Sequence, residues 1–248
     1  MHEELYQEIE ELGRGLRGLH VIRINATPQG GGVAEILQRL VPLLRSVGID
    51  AQWRVMPPDE PFFAVSKHLH NLLQGAHGTL TGDEQRIYRE HNERTYAAMA
   101  YLHPDLWEIH DPQPAAAGAW LNHGVPKVWR CHIDTAAPNP AAAAFLRPYL
   151  APYEAHVYSH ASYALPGAPS ARAIIIEPAI DPLQLKNRRL AQARTRAILT
   201  WLGLDPQRPL VAQVARLDPW KDPCGVIDAF RLARARVPGL QLALLGVM

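Results

Sequence analysis

Residues Leu19 to Gly48 read LHVIRINATPQGGGVAEILQRLVPLLRSVG. The first part, LHVIRINAT, alternates β-branched and polar residues as a strand does. PQGGG then breaks the pattern, and VAEILQRLVPLLRSVG carries apolar residues at helical spacing. Strand, glycine loop and helix in this order open a parallel α/β sheet. Pro42 falls inside the helical pattern and predicts a kink, while Gly48 supplies a stop before the next strand, IDAQWRVM.

Outward from this unit the same rhythm recurs. Upstream, Leu5, Ile9 and Leu12 predict a short leading helix over Glu3 to Leu12. Downstream, PFFAVSKHLHNLLQG and a run from Asp83 to Met99 predict two helices. Short apolar strands follow at DLWEIHD, KVWRCHID, AHVYSH and ARAIIIEP, separated by alanine-rich or helical segments such as NPAAAAFLRPYL. Strands alternating with helices predict a Rossmann-like, doubly wound parallel sheet over residues 1–177.

After Glu177 the character changes. PAIDPLQLKN reads as an interdomain crossing, and RRLAQARTRAILTWLGL as a strongly basic helix. RPLVAQVARLD, DPCGVIDAFRLARARVPG and LQLALLGVM then predict strand, helix and strand, the start of a second Rossmann-like domain. Two strands are too few to bury both faces of a parallel sheet, so residues 178–248 are expected to form the crossing and a truncated, incomplete second domain.

Composition excludes several classes of protein. The 248 residues are 48% hydrophobic, enough for one large or two small cores. Lys+Arg 25 against Asp+Glu 24 leaves a formal charge of +1, so neither nucleic acid nor an anionic membrane is an expected partner. No run approaches the ~18 apolar residues of a membrane span. The acidic start MHEELYQEIEELGRGLRG lacks the form of a signal peptide, and Cys131 and Cys224 suggest no disulfide framework. A cytoplasmic protein is expected. The histidines are scattered without metal-ligand spacing, and no metal is expected.

Three groups of residues carry chemistry. Gly30, Gly31 and Gly32 sit between a strand and a helix, where bare backbone and a helix N-terminus suit an anion or a sugar hydroxyl. The spacing is neither the dinucleotide fingerprint nor a P-loop, and a tight turn alone would also explain it. His110 and Asp111 in IHDPQP, and His132 and Asp134 in RCHID, lie where apolar strands meet loops, the edge at which α/β sheets bind ligands. Imidazole and carboxylate there can hold sugar hydroxyls and offset charge in an oxocarbenium-like transition state; structural His–Asp contacts are the alternative. In VARLDPWKD, Arg216 and Lys221 flank a turn and can clamp a diphosphate, unless Arg216 merely pairs with Asp218 in a solvated loop.

Taken together, NATPQGGGVAEILQRLVPLLRSVGIDAQW, IHDPQP, VWRCHID, EPAIDPL and VARLDPWKD resemble the trehalose glycosyltransferring synthases of the retaining glycosyltransferase family 4, over nearly the whole chain. The resemblance implies the two-domain GT-B fold. It implies that Gly30, Gly31, Gly32, Arg216 and Lys221 bind the donor, that Asp111 and His132 act at the reaction centre, and that His110 and Asp134 contact the acceptor. The implied reaction moves glucose from a nucleoside-diphosphate-glucose to free glucose with retention, giving α,α-trehalose, with no cofactor or metal. Retention is ascribed in this clan to front-face attack, so no carboxylate nucleophile is sought.

The family also carries a glutamate pair eight residues apart in its second domain, and this chain has no glutamate after Glu177. Little turnover is therefore expected of the 248 residues by themselves. Two other readings stand beside this one: a transferase of the same family with a different sugar acceptor, and a non-catalytic sugar- or partner-binding protein. For the latter, LQLALLGVM offers an unpaired edge through which a homodimer is expected to form.

Overall fold

In a computed structural model, residues 2–169, 172–182 and 184–246 are described. They form two compact units, residues 1–181 and residues 182–248.

The first unit is α/β. Helix α1 (His2–Arg14) leads to strand β1 (His20–Asn25), whose Val21, Ile22 and Ile24 are all buried because both faces of the strand are covered. Helix α2 (Gly32–Ser46) buries Ala34, Leu37 and Val41, the i, i+3, i+7 stripe of its sequence. Pro42 lies within this helix, which continues to Ser46 and stops at Gly48, whose φ of 89° only glycine adopts at no steric cost. Strand β2 (Asp50–Val55) precedes helices α3 (Glu60–Leu73) and α4 (Gly82–Met99). Asp59 caps α3 by accepting the Phe62 amide at 2.9 Å, and Thr81 with Glu84 forms a capping box on α4.

Strand β3 (Leu106–His110), helix α5 (Ala115–Trp120), strand β4 (Lys127–Cys131), helix α6 (Pro140–Leu150), strand β5 (Ala155–Tyr158) and strand β6 (Arg172–Ile175) complete the unit. The six strands are parallel in the order β2-β1-β3-β4-β5-β6. Helix α5 is not predicted from the sequence, because AAAGAW has no amphipathic stripe; its small residues let the helix sit close to Ile109 and Tyr153.

Ile22, Ile24, Trp107, Ile109 and Trp129 of the sheet pack with Phe62 and Leu69 of α3, Tyr88 of α4, the alanines of α5 and Leu146 of α6. Val21 and Ala51 instead pack with Val41 of α2 and Val47 beyond it. Helices on both faces make the sheet doubly wound. Trp107, Trp129, Tyr88 and Phe62 are fully buried, each worth roughly 1.5–3 kcal/mol of transfer free energy.

The second unit contains α7 (Gln192–Trp201), β7 (Leu210–Val214), α8 (Pro223–Arg234) and β8 (Gln241–Leu245), with β7 and β8 parallel. The basic helix is shorter than the sequence suggests. A 3₁₀ turn at Leu185–Asn187 accepts the Arg188 amide and leaves Arg188 extended at ψ 140°, and Gly203 at φ 77° closes the other end. Ala171 at the start of the expected sixth strand, Leu183 in the crossing, and Val247 and Met248 at the end of the last strand lie outside the described residues.

Candidate functional site

The strand order places a topological switch between β1 and β3: from β1 the chain moves outward to β2, then returns to lay β3 on the other side of β1. Loops that follow the two central strands diverge there, opening the crevice in which doubly wound sheets bind ligands. The loop after β1 carries Gly30, Gly31 and Gly32; the loop after β3 begins at Asp111. His132 and Asp134 follow β4, the next strand.

All three glycines are exposed, and a Cβ added to any of them would meet nothing within 4 Å. Packing therefore does not require them. Gly30 has φ 86°, which does require glycine, whereas Gly31 is the extended N-cap of α2 with no side-chain hydrogen bond. The first turn of α2, the positive end of the helix, thus has no side-chain cap from its N-cap residue.

Asp111 is one of two described non-glycine residues with positive φ, at 66°. This left-handed conformation costs an L-residue free energy and concentrates at functional sites, although aspartate tolerates it better than most. Three hydrogen bonds hold Asp111 in place. Its amide donates to the Arg130 carbonyl at 2.8 Å, and its carbonyl accepts from Trp129 Nε1 at 2.9 Å. Its Oδ1 accepts the His132 amide at 2.7 Å. The residue is half-buried, and burial raises its carboxyl pKa to about 7 against the lowering influence of the His132 amide and the Arg130 charge. The segment after it is braced from α4. Tyr88 Oη donates to the Pro112 carbonyl at 2.7 Å, Asn92 Nδ2 donates to the Gln113 carbonyl at 3.1 Å, and Asn92 Oδ1 accepts the Ala117 amide at 2.9 Å.

Behind this pair lies a buried polar row. His132 Nε2 and His110 Nδ1 are 2.9 Å apart, with the two rings nearly parallel at 15°. His110 is only 1% exposed, and its Nε2 lies 3.6 Å from Glu108 Oε1. Glu108 in turn pairs with Arg23 at 2.9 Å and with Arg130 at 3.5 Å. Burial, then the charges of Arg130 and Arg23, hold the His110 pKa well below the ordinary imidazole value. For His132, burial, His110 and Arg130 lower it to about 3. Both rings are neutral at physiological pH.

The remaining sequence-predicted residues have plainer surroundings. Asp134 is exposed and accepts the Ala136 amide at 2.9 Å, a local turn. Arg216 pairs with Asp218 at 2.9 Å, and Lys221 ends a 3₁₀ turn over Pro219–Lys221; both are exposed after β7 in the second unit. The sequence reading passed over Arg23, Glu108, Tyr88, Asn92 and Arg130. Glu108 and Arg23 did leave a signal, since each is a charge in the middle of an otherwise apolar buried strand. Among the described residues no group of three or more His, Cys, Asp or Glu is placed to hold a metal ion, and no helix is long and apolar enough to cross a membrane.

Residues 23–165 match the family described as the trehalose synthase N-terminal domain. The chain is 46% identical over 254 residues to a trehalose synthase of Rubrobacter xylanophilus, covering 100% of this chain and 61% of that protein. It is 40% identical over 247 residues to a trehalose synthase of Pyrococcus horikoshii, covering 99% and 60%. The chain thus spans about three fifths of the length of these relatives. The fold is similar to that of a crystal structure of an α,α-trehalose 6-phosphate synthase from Burkholderia multivorans, a GT-B protein, with a TM-score of 0.64 at 16% identity, over 92% of this chain and 65% of that one. With the match spanning the sheet from Arg23 through the Asp111 and His132 loops, the chain belongs to the trehalose synthase family, in its N-terminal domain.

Proposed function

We propose that the protein transfers a glucosyl group from a nucleoside-diphosphate-glucose to free glucose with retention, forming α,α-trehalose. The observation that carries this reading is the strand-end pair at the switch point: a strained Asp111 whose carboxylate is tied to the His132 amide, beside an open glycine loop. The shared family supports a trehalose-related glycosyltransferase.

In this account the glycine loop and the N-terminus of α2 approach the donor diphosphate, using amides and the helix dipole in place of a metal. Asp111, with a pKa of about 7, accepts or donates a hydrogen bond to a sugar hydroxyl near neutrality. Neutral His132 holds a second hydroxyl without adding positive charge beside an oxocarbenium-like centre. Asp134 and His110 support the acceptor side, and Arg216 and Lys221 neutralise the departing diphosphate. As the bond from the anomeric carbon to the phosphate oxygen breaks, the acceptor oxygen bonds to that carbon on the same face. The acceptor's proton passes to the departing phosphate.

The test is product analysis. The polypeptide encoded by the reading frame that carries these residues is supplied with several nucleoside-diphosphate-glucoses and carbon-13 glucose. Labelled α,α-trehalose supports the reading, and transfer only to some other sugar replaces it with a different acceptor.

A further inference from the structure

Residues 23, 108, 110 and 132 form a continuous polar row running from the middle of the sheet to its carboxyl edge. It is not an ordinary ion-pair cluster. Two neutral imidazoles lie in series between a carboxylate and the edge of the site, and they share a single hydrogen bond. One of the two facing nitrogens must then carry the proton and the other must be bare.

The carboxylate settles which. His110 Nε2 is completely enclosed and without a hydrogen-bond partner, and its nearest charged oxygen is Glu108 Oε1 at 3.6 Å. A bare nitrogen lone pair there would face an anionic oxygen in a low-dielectric interior, whereas an N–H would be attracted to it. With the proton on His110 Nε2, His110 Nδ1 is the acceptor, and His132 must donate from Nε2. His132 Nδ1 is then bare, and it makes no hydrogen bond among the described residues.

We propose that Glu108, acting through His110, fixes His132 in the Nε2–H tautomer, so that His132 meets a sugar hydroxyl as a hydrogen-bond acceptor at Nδ1. Glu108 and His110 are positioning residues; His132 alone of the three touches the sugar. His110, expected from sequence to contact the acceptor, acts on it through its neighbour. The sugar contact rests on the function proposed above, while the tautomer does not, so the two fail separately.

Arg23 and Arg130 have a place in this arrangement. They pair with the Glu108 carboxylate and add positive charge that disfavours an imidazolium at the neighbouring histidines. The row therefore delivers an oriented, uncharged acceptor rather than a proton.

The experiment is a long-range proton–nitrogen correlation spectrum of the 248-residue chain labelled with nitrogen-15 histidine, with His132→Gln and His110→Gln identifying the two sets of cross-peaks. The expected result is a protonated Nε2 and a bare Nδ1 for both residues. A protonated Nδ1 on either ring overturns the proposal. In Glu108→Gln the His132 Nδ1 resonance is expected to move from the bare position toward an average of two tautomers. An unchanged resonance in a folded variant removes Glu108 from the relay. Should that variant not fold, the wild-type His110 tautomer still decides, because only a proton on its Nε2 is consistent with direction by Glu108.

Discussion

The amide of His132 donates to Oδ1 of Asp111 at 2.7 Å, so the end of β4 is fastened to the one residue of the β3 loop that holds a left-handed backbone. Each residue of the pair constrains the other. The bond fixes the Asp111 side chain, and the strained turn it supports sets where the His132 ring begins.

Removing that fastening is expected to cost stability as well as activity. Asp111→Ala loses the acceptor for a partly enclosed amide and places a residue less tolerant of φ 66° in the turn, for a loss of roughly 1–3 kcal/mol in denaturant unfolding. Asp111→Asn keeps both features and should fall within about 1 kcal/mol of the parent. Equal stability of the two variants would show that the bond has no structural role.

Opposed pH dependences follow from the same pair. Asp111 has a folded pKa raised from 3.8 to about 7, so the folded state binds the extra proton and this group's contribution to stability declines as pH rises from about 4 to about 7. His132 has a folded pKa lowered from 6.5 to about 3, so the unfolded state binds the extra proton and its contribution is lost as pH falls from about 6.5 to about 3. Between about pH 4 and 6.5 the two slopes oppose. The stability difference between wild type and Asp111→Asn should fall with rising pH in that window. The difference between wild type and His132→Gln should rise. Urea midpoints measured across it check both signs, and two slopes of the same sign contradict the assignment.

The brace from α4 is testable independently of the chemistry. Asn92 is fully buried, and Asn92→Ala leaves the Ala117 amide and the Gln113 carbonyl without it, for a loss of roughly 2–4 kcal/mol. Tyr88→Phe deletes only the bond to the Pro112 carbonyl and should cost about 1 kcal/mol. Losses in the reverse order by urea unfolding would mean that the loop is held by packing on Tyr88.

Glycine substitutions separate packing from ligand approach. In Gly118→Ala the new Cβ collides with Tyr153 Oη and lies 2.6 Å from Ile109 Cγ1, an overpacking worth roughly 1–3 kcal/mol. In Gly31→Ala the Cβ enters open space and the extended backbone accepts it, so thermal unfolding should change little. Donor affinity, by contrast, should drop about tenfold or more in titration calorimetry if the loop contacts the diphosphate. A Gly31→Ala protein with unchanged affinity returns the triple glycine to the role of a turn.

Much of this was legible in the sequence, for identifiable reasons. β1 and α2 announce themselves because strand and helix periodicities differ and Gly30 to Gly32 punctuate them. Asp111 and His132 stood out as polar residues at the ends of apolar strands, and the parallel topology then placed them side by side. What was not legible is three-dimensional register. That Arg23 lies opposite Glu108 across β1 and β3 depends on strand pairing, and that Asn92 reaches Ala117 depends on how α4 packs on α5. Neither leaves a trace in local spacing. The late start of α7 was not legible because the 3₁₀ turn over Leu185–Asn187 takes the Arg188 amide and leaves Arg188 extended, a matter of local hydrogen bonding rather than composition.

The most direct test of the strand-end pair as a sugar-transfer site is the rate of labelled α,α-trehalose formation from nucleoside-diphosphate-glucose and carbon-13 glucose, compared between the wild-type polypeptide encoded by the reading frame that carries these residues and its Asp111→Asn variant. The account predicts labelled α,α-trehalose from the wild type and a rate on the order of 10²-fold lower, at nearly unchanged stability, for the variant. No trehalose from the wild type with any donor, or equal rates for the two proteins, would contradict it.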